Sequence, residues 1–458
     1  MLAAHQLCRP VRIRHQGSPL QVLRFKRKGV RQPIASVLAE YRTRREGFFQ
    51  RQGHQWPDTL HDPFDILDVY PLGRAEVREI RDAVAGLTAI YQKTGTLLKT
   101  LSEDTLYDLG VPAFLWPVAR DHAPGALDCV IGRFDLARTK TGYKMLELNS
   151  DSPGMLVEAF AVNGAACEDS GYADPNRSCE TGLCQALSQA IQTGHERSEK
   201  SGAGAGNVVV TYGKGLRRDQ ADAVYLAKIL HSFAATTVPF QDLSTADLSS
   251  GARGLYGPDG KPIDVLIRGC RLESLRSAML IREQRLHDHE TNGTFLHLAE
   301  QSKLTMINPP GACLLTNKAL QAVIWNLMEL GLYFNDEEMG LIRQYMLPTY
   351  WDPPADGRGY VAKPAQGASS DTVTVVDSKR KRVHKSSSCS YTDQPLVYQE
   401  YVDLPCERLM TEYGPRNLHL VMSCFTVGGA PSAICMRAGS AITDEMAWVV
   451  PLGVDTHL

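Results

Sequence analysis

The 458-residue sequence has no excess of charge of either sign: 49 Lys and Arg stand against 51 Asp and Glu, a formal net charge of −2. That balance excludes a global field drawing the chain to nucleic acid or to a membrane surface. Long apolar runs are also missing, and none approaches the about 20 residues that a membrane-spanning helix needs. No C-x-x-C pair occurs among the eleven cysteines, which are scattered without regular spacing. A zinc site is therefore not expected, and the cysteines read as reduced thiols of a cytoplasmic protein. Near the N-terminus Arg9, Arg12, Arg14, Arg24, Lys26, Arg27, Lys28 and Arg31 break every candidate signal core, so this segment reads as a solvated basic arm. What is present is ordinary globular composition, 43% hydrophobic and 22% charged, in a chain long enough for two or three structural units around one site.

Periodicity divides the chain. The first hundred residues read as mostly helical, with Val84, Leu87, Ile90, Tyr91 and Leu98 at helical spacing across residues 83–101. Short β-rich runs begin at 128–136. A helix is predicted over 181–194, followed by a Gly/Ala-rich linker at 198–206. Strand 207–211, helix 220–233 and strand 264–268 then favour a parallel, Rossmann-like unit. Gly213-Lys-Gly215 matches neither a dinucleotide fingerprint nor a P-loop and reads as a turn. From Lys303 the chain is α/β again, with strands at 359–364, 371–377, 396–401, 419–425 and 433–437. Residues 379–390, basic and Ser-rich, read as a mobile loop.

Three constellations carry chemistry. Gly132-Arg-Phe-Asp135, a turn ending at Gly142, and Tyr143-Lys-Met-Leu-Glu-Leu-Asn149 read as a β-hairpin. Alternation puts Arg133 and Asp135 on one face of their strand, and Glu147 and Asn149 on one face of theirs. If pairing aligns those faces, an Arg, two carboxylates and an amide oxygen converge, a hard-oxygen set suited to Mg2+ and nucleotide phosphates. By spacing alone, an exposed strand face carrying ordinary charges fits equally well. Lys318 opens a helix, and Lys363 closes a strand before the turn Ala365-Gln-Gly-Ala-Ser-Ser370. Lysine point charges and Gly/Ser backbone N–H groups suit phosphate, although each lysine alone reads as a solvated surface residue. The later strand Val397-Tyr-Gln-Glu400 can offer backbone groups to an adenine. Arg437 ends an apolar strand and is either structurally paired or aimed at an anion.

Taken in order, these residues resemble the synthetase portion of the glutathionylspermidine synthase family. The similarity runs through Arg133-Phe-Asp135, Glu147-Leu-Asn-Ser-Asp-Ser152 and Glu158, then Asn317-Lys318, Val361-Ala-Lys-Pro364, Tyr398-Gln-Glu400 with Leu404-Pro405, and Arg437. It covers residues 128–454 and is thin between 164 and 303. The resemblance implies an α/β, glutathione-synthetase-like ATP-grasp fold with a Rossmann-like pre-ATP-grasp substrate domain and a helical N-terminal region. The corresponding segments are 1–125 (helical), 126–200 (metal-binding hairpin), 201–300 (substrate domain) and 301–458 (second ATP-grasp part with phosphate lid). It further implies that Asp135, Glu147 and Asn149 bind Mg2+, and that Lys318, Lys363, Gln366, Gly367, Gln399 and Glu400 bind ATP. Arg133 and Arg437 would stabilise the transferring phosphoryl group, and Ser152 and Glu158 would meet substrate. Gly154 stands where the family has a second small hydroxyl residue, and no stretch resembles the thiol-amidase domain of bifunctional relatives.

The expected activity is ATP-dependent ligation of a small-molecule or peptide carboxylic acid to an amine, through an acyl-phosphate, releasing ADP and phosphate. The competing expectation is a nucleotide-binding regulatory protein of the same fold without ligase activity. A thiol hydrolase has nothing in its favour beyond the cysteine count.

Overall fold

The structure is a computed structural model that describes residues 34–52, 66–119, 129–200, 207–233, 240–251, 254–273, 294–444 and 446–455. The basic arm at 9–31 and most of the Gly/Ala tract, 201–206, lie outside the described residues.

At the centre lies an antiparallel sheet built from segments far apart in sequence. After the short strand β1 (Tyr70–Leu72), strands β2 (Ile131–Thr139) and β3 (Gly142–Asn149) form the hairpin, and Gly142 takes the positive φ of 105° that its turn requires. On its other side β2 pairs with β16 (Gly414–Val427), which pairs with β17 (Ala430–Gly439), and β17 with β18 (Trp448–Val450). Strand β15 (Cys406–Thr411) flanks the first half of β16. One face of this sheet is apolar: Phe134, Leu136, Leu148, Cys424, Ile434 and Met436 are buried. Helix α1 (Arg74–Leu98) covers that face, with Val77, Ile80, Val84, Leu87, Tyr91 and Leu98 on one stripe. The Tyr91 and Phe134 rings meet edge to face at 5.7 Å. The opposite face carries the charged side chains.

A second antiparallel sheet faces that charged surface. Its strands are β10 (Thr349–Tyr350), β11 (Tyr360–Pro364), β12 (Thr374–Val376), β13 (Arg382–Lys385) and β14 (Leu396–Glu400), in the order β10-β14-β11-β12-β13. Helix α4 (Ala319–Glu329) backs it, and Trp325 Nε1 donates to Tyr350 Oη at 3.2 Å. Part of the expected mobile loop is thus a strand. All four residues of β13 are exposed, so no apolar alternation marks it in the sequence.

The third sheet has a parallel core. Strands β4 (Asn207–Tyr212), β5 (Phe240–Ser244), β8 (Pro262–Arg268) and β9 (Thr305–Ile307) run parallel in the order β5-β4-β8-β9. Helices α2 (Cys179–Lys200) and α3 (Arg217–Phe233) pack on it. Helix α2 continues through Lys200, because Ile191, Gly194 and Ser198 are buried along it, so the expected linker begins later than its composition suggests. An antiparallel pair, β6 (Ser249–Gly251) and β7 (Gly254–Tyr256), extends the sheet beyond β8.

Asn308, just after β9, ties this sheet to the central one. Its Oδ1 accepts from Val130 N and Ile131 N at 2.8 and 2.9 Å, and its Nδ2 donates to Ile131 O and Ser150 O at 2.7 and 2.8 Å. Buried Arg268 donates to Asn308 O at 2.9 Å and pairs with Asp151 at 2.5 Å. The entry of β2 and the exit of β3 are therefore pinned by one side chain.

Candidate active site

The hairpin register places Arg133 opposite Asn149 and Asp135 opposite Glu147. Those four side chains share one face, as their alternation requires once the strands align. A β-bulge at the Asp135–Leu136 step leaves Leu146 as the extra residue on β3, since Asp135 pairs with Glu147 and Leu136 with Met145. From the other side Ser423 stands opposite Asp135, and Arg437 opposite Val421.

Asp135 is the hub. Arg133 binds it in a fork, Nε to Oδ1 at 2.8 Å and Nη2 to Oδ2 at 3.0 Å. Ser423 Oγ donates to Oδ1 at 2.7 Å, Asn149 Nδ2 to Oδ2 at 3.2 Å, and Arg437 Nη1 to Oδ2 at 3.4 Å. Burial opposes the charge on Asp135, but the charge and hydrogen bonds of Arg133, with Arg437 and Ser423, hold its carboxyl below the usual carboxylate range. Arg437 also donates to Asp444 O at 2.7 Å.

Glu147 faces a cleft of about 830 Å³ between the central and five-stranded sheets. Its Oε2 lies 3.4 Å from Lys318 Nζ. Burial raises its proton affinity, yet Lys318, Lys363 and Arg437 outweigh that and keep the carboxyl below its ordinary value. Lys318 Nζ also donates to Gly367 O at 3.1 Å. Lys363 Nζ donates to Gln399 Oε1 at 2.7 Å and to Leu146 O at 3.0 Å. Its burial lowers its pKa from 10.5 to about 8, against the pull of Glu147.

The Gly/Ser turn after Lys363 closes one side of the cleft. Ser369, Ser370 and Thr372 hold φ of 52°, 57° and 63°, a conformation uncommon outside glycine. Ser370 Oγ donates to Thr443 O at 2.5 Å, which ties this turn to the segment after β17. A Cβ at Gly367 would press on Pro364 at 3.0 Å, so the turn sits close to its strand. Gln366 Nε2 and Thr443 Oγ1 are buried with no hydrogen-bond partner.

These features bear on the groups that the sequence implies. Asp135 and Glu147 bring carboxylate oxygens to the cleft, as Mg2+ prefers, whereas Asn149 turns its Nδ2 to Asp135 and would reach a metal only through its Oδ1. Among the described residues no group of three or more His, Cys, Asp or Glu gathers, so phosphate oxygens and waters would complete any coordination. Three cations and two orphaned polar atoms, around and beside a cleft with apolar Val361, Val375 and Leu404 in its lining, fit a nucleotide with its phosphate tail.

Of the expected site residues, Asp135, Glu147, Lys318, Lys363, Gly367, Gln399, Glu400 and Arg437 line this cleft. Arg133 and Asn149 stand behind Asp135, and Gln366 lies in the turn beside the cleft. The Gln399 side chain is buried against Lys363 and Gln321 rather than open to a ligand. Ser152 lines a separate crevice of about 440 Å³ with Gly154, Asp219, Asp222, Arg268 and Asn308. Arg133 Nη1 donates to Gly154 O at 3.1 Å and so joins crevice to cleft. Glu158 is buried nearby, and burial raises its pKa. Burial and Glu158 push Asp222 well above the carboxylate range, and burial pushes Asp219 up to about 6.

Sequence reasoning missed Ser423, Gln321, Asp219 and Asp222. Ser423 alternates onto the face of Arg437's neighbours, but only the pairing of β16 with β2 brings it to Asp135. No local signal marks Gln321.

The family model described as glutathionylspermidine synthase preATP-grasp matches residues 37–455. Among solved structures, a glutathione synthetase-like effector from Globodera pallida, in apo form, is similar at 12% identity and a TM-score of 0.55. That similarity covers 93% of this chain and 98% of the other, and it shows a glutathione-synthetase-like fold. A putative gamma-glutamylcysteine synthetase from Methylobacillus flagellatus is similar at 10% identity and a TM-score of 0.38, over 81% of this chain and 86% of the other. No curated protein matches.

Proposed function

The chain belongs to the glutathionylspermidine synthase preATP-grasp family, and from that premise we propose that it is an ATP-dependent carboxylate–amine ligase acting through an acyl-phosphate. The observation that carries this reading is the single cleft in which Lys318, Lys363 and Arg437 face Asp135 and Glu147. In the same reading the central and five-stranded sheets are the two ATP-grasp halves, and the parallel-core sheet is the substrate unit.

Lys318, Lys363 and the backbone of Gly367 would hold the phosphate tail of ATP, and Glu400 and Tyr401 would lie against its adenine. Asp135, Glu147 and Asn149 would hold Mg2+, which neutralises phosphate charge when bound. A carboxylate oxygen of the acid attacks the γ-phosphorus, and the bridging P–O bond breaks with release of ADP. Charge grows on the equatorial oxygens, where Arg437 stabilises it. An amine nitrogen then attacks the acyl carbon, phosphate leaves, and the nitrogen gives up a proton. The turn around Ser370, latched to Thr443, keeps water from the mixed anhydride. The acid enters beside Ser152, in the crevice that Asp219 and Asp222 also line.

The test is nucleotide turnover with pooled acids and amines, read by mass spectrometry. The ligase reading requires ADP and phosphate, formed only when acid is present, with a product of mass acid plus amine minus water. Stoichiometric AMP and pyrophosphate would overturn it. Nucleotide binding without acid-dependent phosphate release would instead leave the regulatory reading standing.

A further inference from the structure

Lys363 is held by a buried relay of amides whose polarity admits one arrangement. A lysine ammonium has donors and no acceptor, so Gln399 must turn its Oε1 toward Lys363 Nζ, at 2.7 Å. The Gln399 amide nitrogen then faces Gln321, whose Oε1 accepts from it at 2.6 Å. Gln321 is left presenting its own Nε2, which donates to Leu146 O at 3.2 Å. Leu146 O also receives Lys363 Nζ at 3.0 Å, which closes the ring. That carbonyl belongs to the extra residue of the β3 bulge, immediately before Glu147. Both glutamines are buried, Gln399 at 1% and Gln321 at 2% exposure, so water does not substitute for either contact.

We infer that Gln321 is a positioning residue for Lys363: it holds Gln399 Oε1 and Leu146 O in place, one ammonium N–H going to each, and leaves the third aimed into the cleft at a phosphate oxygen. The same ring fixes the spacing between Lys363 and Glu147, because one carbonyl of the bulge is shared by the helix, the strand carrying Gln399 and the lysine. Gln321 touches no ligand itself. This inference rests on the reading of Lys363 as a phosphate-binding residue. Its consequence is a coupling: removing the Gln321 amide harms nucleotide binding only while the lysine is present to be misplaced.

The experiment is a double-mutant cycle read by calorimetric titration of the full chain with MgATP. Wild type, Gln321→Met, Lys363→Met and the double variant are titrated after circular dichroism shows each to be folded; Gln321→Ala serves the same cycle if Gln321→Met does not fold. Gln321→Met is expected to weaken ATP about tenfold beside Lys363, and less than twofold beside Met at position 363. Gln321→Glu keeps the acceptor that Gln399 needs but sets an oxygen against Leu146 O where Nε2 donated, and is expected to bind more weakly than wild type yet more tightly than Gln321→Met. Equal losses in both backgrounds, no loss in either, or a Gln321→Glu variant as weak as Gln321→Met would each overturn the inference. Failure of wild type to bind MgATP, or an undiminished Lys363→Met, would instead overturn the assignment of Lys363 on which it stands.

Discussion

Replacing Lys363 with methionine should strengthen the fold and weaken nucleotide binding, two effects of opposite sign from one atom. The shift of the ammonium from 10.5 to about 8 on burial corresponds to roughly 3 kcal/mol of unfavourable burial of its charge. Methionine fills similar space without that charge. Leu146 O keeps Gln321 and Gln399 as donors, whereas Gln399 Oε1 loses its donor, a cost of about 1–3 kcal/mol. The net expectation is a gain of about 1 kcal/mol in urea unfolding at pH 7 without nucleotide. Loss of a charge-assisted phosphate contact, about 1.5–3 kcal/mol, should raise the ATP dissociation constant roughly 10- to 150-fold. The pH dependence follows from linkage. The unfolded chain binds the extra proton between about pH 8 and 10.5, so wild-type stability gains from this lysine as pH rises through that window. Lys363→Met lacks that gain, and its advantage should shrink between pH 7 and 10. A variant destabilised at pH 7, or an advantage that does not change with pH, would refute the reasoning.

Arg437→Ala should lower turnover by about 100-fold or more with ATP affinity little changed; hydroxylamine trapping of an acyl-phosphate as a hydroxamate reads the loss directly. Arg437→Lys should rescue poorly, since a point charge cannot replace a planar fork that reaches Asp135 and Asp444 O together. The Asp219 carboxyl, held at about 6 by burial, keeps a proton that the unfolded chain has lost by pH 4 to 6, so folding stability falls as pH rises through that window. Asp219→Asn should remove the fall and raise stability at pH 7 by about 1–2 kcal/mol, after allowance for partial exposure; identical pH–stability curves would contradict this. Asn308→Ala strips hydrogen bonds from buried backbone at Val130, Ile131 and Ser150 and should cost at least about 2 kcal/mol in denaturant unfolding; a change below about 0.5 kcal/mol would mean water replaces the amide.

The hairpin was legible because strand alternation is local: Arg133 with Asp135 and Glu147 with Asn149 follow from a period of two, and the bulge at Leu146 falls where it leaves those four aligned. Helix α1 was legible for the same reason, although Val77 and Ile80 carry it back to Arg74. The partners of these elements were not legible. That Ser423 meets Asp135, that Gln321 reaches Gln399, and that Ser370 is latched to Thr443 depend on strand register and sheet packing settled across separations of 288, 78 and 73 residues. The order of motifs pointed to one nucleotide site. It did not show that the Ser152 crevice opens separately, since that depends on how the parallel-core sheet meets the hairpin through Asn308 and Arg268.

The interleaving of the central sheet has a consequence for the order in which the chain can fold as it is made. Ser423 follows Asp135 by 288 residues, so at about 5–20 residues per second the inner edge of β2 waits roughly 15–60 seconds for β16. During that interval the hairpin has apolar Phe134, Leu136 and Leu148 on one face and only α1 to cover them, with an open row of backbone donors and acceptors beside it. The parallel-core sheet, complete by Ile307, can close first and hold the start of β2 through Asn308. The nascent protein is thus a finished parallel-core unit carrying an unfinished central sheet. Its vulnerability to aggregation should peak before Val427 leaves the ribosome.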